Sequence, residues 1–201
     1  PDLPKARYNV WVRGYGLVDS PTVQSAPGSA LNLTAVIAPS AHAAAQYYPG
    51  NYWYSLLRVP DKSEFPGKGA RVNGIVETMK SQTEWMGRLR MGNCEGCHQL
   101  GTKATREIPA LFKGMSSVAA WDRRVKSGQA GQNMHGQLTN LFGPKSFELF
   151  ADWTDRIAAG ELPPEPPRPE GVERNVVITL WDWAGPKEYF HDEVATDKRH
   201  P

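Results

Sequence analysis

Two thiols three residues apart, with an imidazole directly after the second, stand in the stretch Cys94-Glu95-Gly96-Cys97-His98. This C-x-x-C-H spacing is the attachment signature of a c-type haem. Thiols on one turn reach the two vinyl groups of a protoporphyrin and form thioether bonds. The histidine is then held under the iron as its proximal axial ligand. A porphyrin tied at three points stays with the chain as a permanent one-electron carrier. The expected cofactor is one covalent haem c, on Cys94 and Cys97, with His98 on the metal.

Other chemistries fit the same residues less well. A zinc site normally takes four ligands, and Cys94 and Cys97 are the only cysteines. A thioredoxin-like pair wants a strand-to-helix context in a βαβ pattern, and none precedes Cys94. A disulfide between them would close a very small loop and add little.

The elements that must position these residues can be read along the 201-residue chain. Residues 1–66 read as β. Tyr8, Val10 and Val12 alternate with Asn9, Trp11 and Arg13, and Leu31, Leu33, Ala35 and Ile37 alternate with Asn32, Thr34 and Val36. Period-2 alternation predicts strands, but two strands are too few for an independent sheet. Ser40 predicts the cap of a short helix over 41–48, with Pro49-Gly50 as its stop. Residues 70–160 read as helical. Ile75, Met79, Met86 and Leu89 fall near helical spacing before the motif. Trp121 to Lys126 predicts a short helix. Pro144 to Ala159 predicts a longer one, with Gly143 before it, Gly160 after it and Phe147, Phe150, Ala151, Thr154, Ile157 and Ala158 on one face.

Five prolines between 163 and 169 form a semi-rigid extended spacer. Residues 161–201 are therefore expected to be a Pro-rich tail, with a strand over 176–181. The fold class expected is α+β: an N-terminal β-sandwich-like segment, an all-α haem domain and the extended tail. The formal charge is +2, and two haem propionates would bring it near zero, so nucleic acid is not an expected partner. No run approaches a membrane span, so no transmembrane segment is expected. Pro1-Asp2-Leu3-Pro4 lacks the basic start and apolar core of a leader. A start without Met, directly before a strand-like run, reads as a piece of something longer. Covalent haem attachment takes place outside the cytoplasm, so the motif implies a periplasmic or secreted bacterial protein.

A helix, C-x-x-C-H, a loop and a final amphipathic helix over about residues 70–160 resemble the class I monohaem cytochrome c family. The resemblance implies a methionine as sixth ligand, downstream of the motif, whose thioether raises the reduction potential relative to a second histidine. Met134 follows the Gly-rich stretch Ser127 to Asn133 and is the first candidate. Met115 is the second, and His135 would give bis-histidine ligation. Met79, Met86 and Met91 precede the motif and read as helix packing. Pro109 matches a family proline near the proximal ligand and is expected to help orient His98. Trp121 and Trp153 are candidates to pack on the porphyrin, or plain core. Lys103, Arg106, Arg123 and Arg124 are candidates for propionate pairing or a basic docking face. Residues Pro1 to Gly16 resemble the closing strands of a carboxypeptidase regulatory-like (transthyretin-like) sandwich. The combined reading is an electron-carrier module rather than an enzyme. It would serve redox partner proteins and, as part of a larger assembly, other subunits or further domains of the same polypeptide. A peroxidase-like haem enzyme and an accessory subunit remain the alternatives.

Overall fold

The computed structural model describes residues 3–95, 99–165, 167 and 169–176. The chain is α+β, with seven α-helices and two small antiparallel sheets among the described residues. It divides into two compact units, one built from Pro1–Tyr48 and Pro164–Val177 and the other from Pro49–Pro163.

In the first unit β1 (Tyr8–Val10) pairs with β3 (Val23–Ser25), Asn9 opposite Gln24. β2 (Leu17–Val18) pairs with β4 (Val36–Ile37). Ser20 closes the turn between β1 and β3. Its hydroxyl accepts from Val12 N at 2.9 Å, and its own N–H donates to the Val12 carbonyl at 3.1 Å. The alternation over 31–37 becomes a ladder only at β4, where Ile37 is 81% exposed. Period-2 patterning specifies a strand only where one face is covered, and Leu31, Val36 and Ile37 all lie at the surface. The β2 and β3 strands are too short to show a period. Helix α1 (Ala41–Ala45) begins as expected, with the Ser40 hydroxyl accepting from Ala43 N. Among the described residues of the proline-rich stretch (161–165, 167, 169 and 170) none is in a helix or strand, and a 3₁₀ turn follows at Gly171–Asn175. The strand expected over 176–181 lies, from residue 177 on, outside the described residues.

The second unit begins at Pro49, so residues 49–66 belong with the helices rather than with the strands. Pro49-Gly50, expected to stop a helix, starts one. Pro49 precedes α2 (Gly50–Tyr54), where its missing N–H costs nothing. The other helices are α3 (Gln82–Arg88), α4 (Lys103–Arg106), α5 (Ser117–Val125), α6 (Gly131–Gln137) and α7 (Lys145–Ala158). α7 matches its sequence signal within a residue at each end. Its inward stripe of Phe147, Phe150, Ala151 and Thr154 is buried, whereas Ala158 is exposed. Ile75 and Met79 are fully buried, but in turns that hydrogen-bond back to Gly67 and Gly69 rather than in a helix. Their helical spacing reflected a shared core, not a shared helix.

Aromatic rings fill that core. Trp121 lies against Phe150, and Phe150 against Trp153. Both indoles find acceptors: Trp121 Nε1 donates to Thr154 Oγ1 (3.1 Å) and Trp153 Nε1 to the Trp53 carbonyl (3.0 Å). The second bond ties α7 to α2 across the unit. A fragment of residues 49–163 is therefore expected to melt cooperatively by circular dichroism. One starting at residue 70 loses Trp53, a loss worth about 3–5 kcal/mol in a core, and should show no cooperative transition.

Gly101 is a second constraint. It has φ +91°, and a Cβ there would overlap the Gly50 carbonyl at the start of α2. Gly101→Ala is expected to cost about 2–4 kcal/mol, the sum of left-handed strain and overpacking, read from the shift of the urea midpoint.

Candidate functional site

Helix α3 is built to end at Cys94. Ser81 caps it, its hydroxyl accepting from Glu84 N at 3.1 Å, and the Glu84 carboxylate accepts in return from Lys80 N at 2.7 Å. That backbone hydrogen bond, helped by Arg88, holds the Glu84 carboxyl below its ordinary pKa. Arg88, one turn on, reaches Glu84 at 2.6 Å and donates to the Leu141 carbonyl at 2.9 Å. Trp85 packs edge-on against Phe142, and Leu89 is almost fully buried.

Trp85 and Leu89 are four residues apart, so a regular helix would bring position 93 onto the core stripe next. Instead the helix widens to a π-turn over Leu89–Asn93, and the Cys94 N–H donates to the Leu89 carbonyl five residues back. The added residue carries Cys94 onto the stripe, half-buried against the same core. Single π-turns of this kind recur at functional sites. Cys97 and His98 lie outside the described residues.

A cavity of about 530 Å³ opens beside this turn, lined by Asn51, Tyr54, Ser55, Leu57, Val59, Met86, Arg90 and Glu95. Leu57, Val59 and Met86 supply apolar wall, and the others supply polar atoms. Tyr54 is 9% exposed, and its hydroxyl forms no hydrogen bond of good geometry. Burial pushes its pKa up to about 12; Glu95 and Cys94 add to the rise, and nearby Arg90 opposes it. Burial also raises the Glu95 carboxyl, against the pull of Arg90. The lining is mixed: three apolar side chains stand beside five polar ones, among them the Glu95 carboxylate and the Arg90 guanidinium. Tyr54 and Arg90 were missed in the sequence; the aromatic run Tyr52-Trp53-Tyr54 was the available signal.

Met134 lies on α6, not in a loop. The Gly-rich composition argued against a helix, but Gly131 sits so close to the Lys126 carbonyl that no side chain fits, and the turn locks α6 onto α5. Met134 is half-buried against the core cluster that Cys94 also joins. Met115 is 44% exposed. His135 turns to α5, its Nε2 at 3.2 Å from Asp122 Oδ1. Asp122 also holds Lys126, and that hydrogen bond, more than His135, keeps its carboxyl below its ordinary pKa. Of the upstream methionines, Met79 is core, Met86 lines the cavity and Met91 is exposed.

Pro109 precedes a 3₁₀ turn at Ala110–Phe112, and its carbonyl accepts from Phe112 N at 2.9 Å. Two of the basic candidates brace the chain instead of facing outward. Arg106 is 2% exposed, stacks on Trp53 at 4.4 Å and donates to the Gly101 carbonyl at 3.0 Å. Arg124 donates to the Glu107 carbonyl at 2.9 Å and lies over Trp121. Together they fix the path of residues 101–107, just past the motif. Lys103 pairs with Glu107 at 4.0 Å, and Arg123 donates to the Ser127 hydroxyl at 2.9 Å. Trp121 and Trp153 are core residues with satisfied indoles.

Among the described residues no helix is long and apolar enough to cross a membrane. Compared with protein-family models, with curated proteins and with solved structures, the chain matches none.

Proposed function

We propose that the Pro49–Pro163 unit is a class I cytochrome c-like module that carries electrons on one covalent haem c. Cys94 and Cys97 would hold the porphyrin, with His98 and Met134 as axial ligands and Pro109 beside His98. The observation that carries this reading is the placement of Cys94. A π-turn sets the first cysteine of a C-x-x-C-H motif against the aromatic core, one residue before Glu95, which lines the cavity. When bound, the haem supplies a one-electron ferric/ferrous couple.

The chain's own residues do the rest. Leu57, Val59 and Met86 supply the apolar part of the cavity beside the motif. Arg106 and Arg124 hold the segment that follows His98. The Met134 thioether, held by α6 against the core, favours the reduced state. The module acts in the periplasm or outside the cell. It passes electrons to protein partners through a small, transient interface, within a larger redox assembly. Other subunits or further domains of the same polypeptide would cover the exposed strand residues Val36 and Ile37. The strands of residues 1–48 are assigned to part of a carboxypeptidase regulatory-like sandwich.

The test is the absorption spectrum of the reduced full chain with and without carbon monoxide. An electron carrier with two protein ligands shows sharp c-type bands that carbon monoxide leaves unchanged. A rapid shift with carbon monoxide would point to the open iron of a haem enzyme.

A further inference from the structure

The cavity at the end of α3 presents one charge of each sign. Arg90 and Glu95 both line it, and among the described residues neither is taken up in an ion pair. Burial lifts the Glu95 carboxyl above its ordinary pKa, and the pull of Arg90 does not offset this. A closer cation would relieve that carboxylate. Tyr54 adds a neutral donor. It is 9% exposed, and its hydroxyl has no hydrogen bond of good geometry. A buried donor of this kind is costly to leave unmatched. Leu57, Val59 and Met86 form the apolar side of the same space. At about 530 Å³ the cavity is of small-molecule size. Neither Cys94 nor Met134 is among the described residues that line it, so its occupant is argued apart from the electron-carrier reading.

We propose that this cavity binds a small zwitterion with an apolar body, either a free apolar α-amino acid or a short apolar peptide. The ligand carboxylate takes the Arg90 guanidinium and the Tyr54 hydroxyl. Its ammonium takes the Glu95 carboxylate, and its side chain lies on Leu57, Val59 and Met86. A plain carboxylic acid would bring a second negative charge to Glu95. A plain amine would leave Arg90 and Tyr54 without an acceptor. Only a ligand that bears both charges satisfies all three polar groups.

The experiment is isothermal titration calorimetry on the full chain, with L-leucine and leucyl-leucine as probes. Isocaproate is leucine without its ammonium, isoamylamine is leucine without its carboxylate, and glycine lacks the apolar body. The expected result is saturable binding of leucine or leucyl-leucine, with the three truncated probes each weaker by about tenfold or more. The tighter of the two zwitterions identifies a free amino acid or a peptide as the source. Tyr54→Phe keeps the ring and should weaken binding about tenfold, as should Arg90→Gln. Glu95→Gln should remove the advantage of leucine over isocaproate. The probe series on the wild-type chain decides the proposal without any variant. No saturable binding of either zwitterion overturns it, and so does isocaproate that binds as tightly as leucine. Leucine affinity unchanged in both Tyr54→Phe and Glu95→Gln, each folded by circular dichroism, overturns it as well. Intact mass of the same sample reports covalent haem separately, so this proposal and the electron-carrier reading can each fail while the other stands.

Discussion

Produced in a bacterium that matures c-type haem proteins in its periplasm, the full chain is expected to gain the mass of one haem. Acid acetone should fail to extract it. The expectation follows from two cysteines with no third thiol to compete, and from the half-buried position of Cys94 on the core stripe. Cys94→Ala or Cys97→Ala leaves one thioether and should keep a fraction of the haem in covalent form. The double variant should keep none after extraction, an all-or-none effect larger than any packing change in the molecule. Thermal stability is a second readout. Burying a porphyrin removes apolar surface from water at about 25 cal/mol per Å², so the haem-bearing chain should melt well above the haem-free double variant. Bound zinc in place of haem, or haem that acid acetone removes, would end this reading.

Replacing Met134 is expected to have the next largest effect. Met134→Leu keeps the apolar bulk against the core and should cost under about 1.5 kcal/mol of stability, yet it removes the thioether. The weak far-red sulfur-to-iron band of the ferric protein should disappear, carbon monoxide should bind the ferrous iron, and the potential should fall. Met115→Leu should change none of these, because Met115 is largely at the surface. His135→Gln should also leave the far-red band in place, since His135 is engaged with Asp122. If Met115→Leu abolishes the band while Met134→Leu preserves it, the ligand assignment is wrong.

Local signals in the sequence were enough for several elements, and for the same reason in each case. The cap at Ser40 and the amphipathic face of α7 need only neighbouring residues to act. A serine hydroxyl meets an N–H three residues on, and a 3.6-residue period lines up one face wherever the helix packs. C-x-x-C-H is legible in the sequence as five consecutive residues, and the haem chemistry proposed for it is what the experiments above test.

Contacts between distant residues decided the rest. Ile75 and Met79 kept a helical spacing but fold as turns, since Gly67 and Gly69 capture their carbonyls. The Gly-rich run turns over residues 127–130 and enters a helix at Gly131, whose missing side chain lets α6 close onto the end of α5. Arg106 and Arg124 were candidates for propionate pairing or a docking face, yet in the fold backbone carbonyls and indole faces engage them. The cavity is assembled from α2, the segment after it and the end of α3. The aromatic run Tyr52-Trp53-Tyr54 marks Tyr54 only as a ring to bury; that it meets Arg90 and Glu95 in a cavity is decided by the packed chain. The sequence by itself determined the motif, the Ser40 cap and the face of α7; only the tertiary structure decided which side chains meet around Cys94, because burial belongs to the packed chain and not to any run of residues.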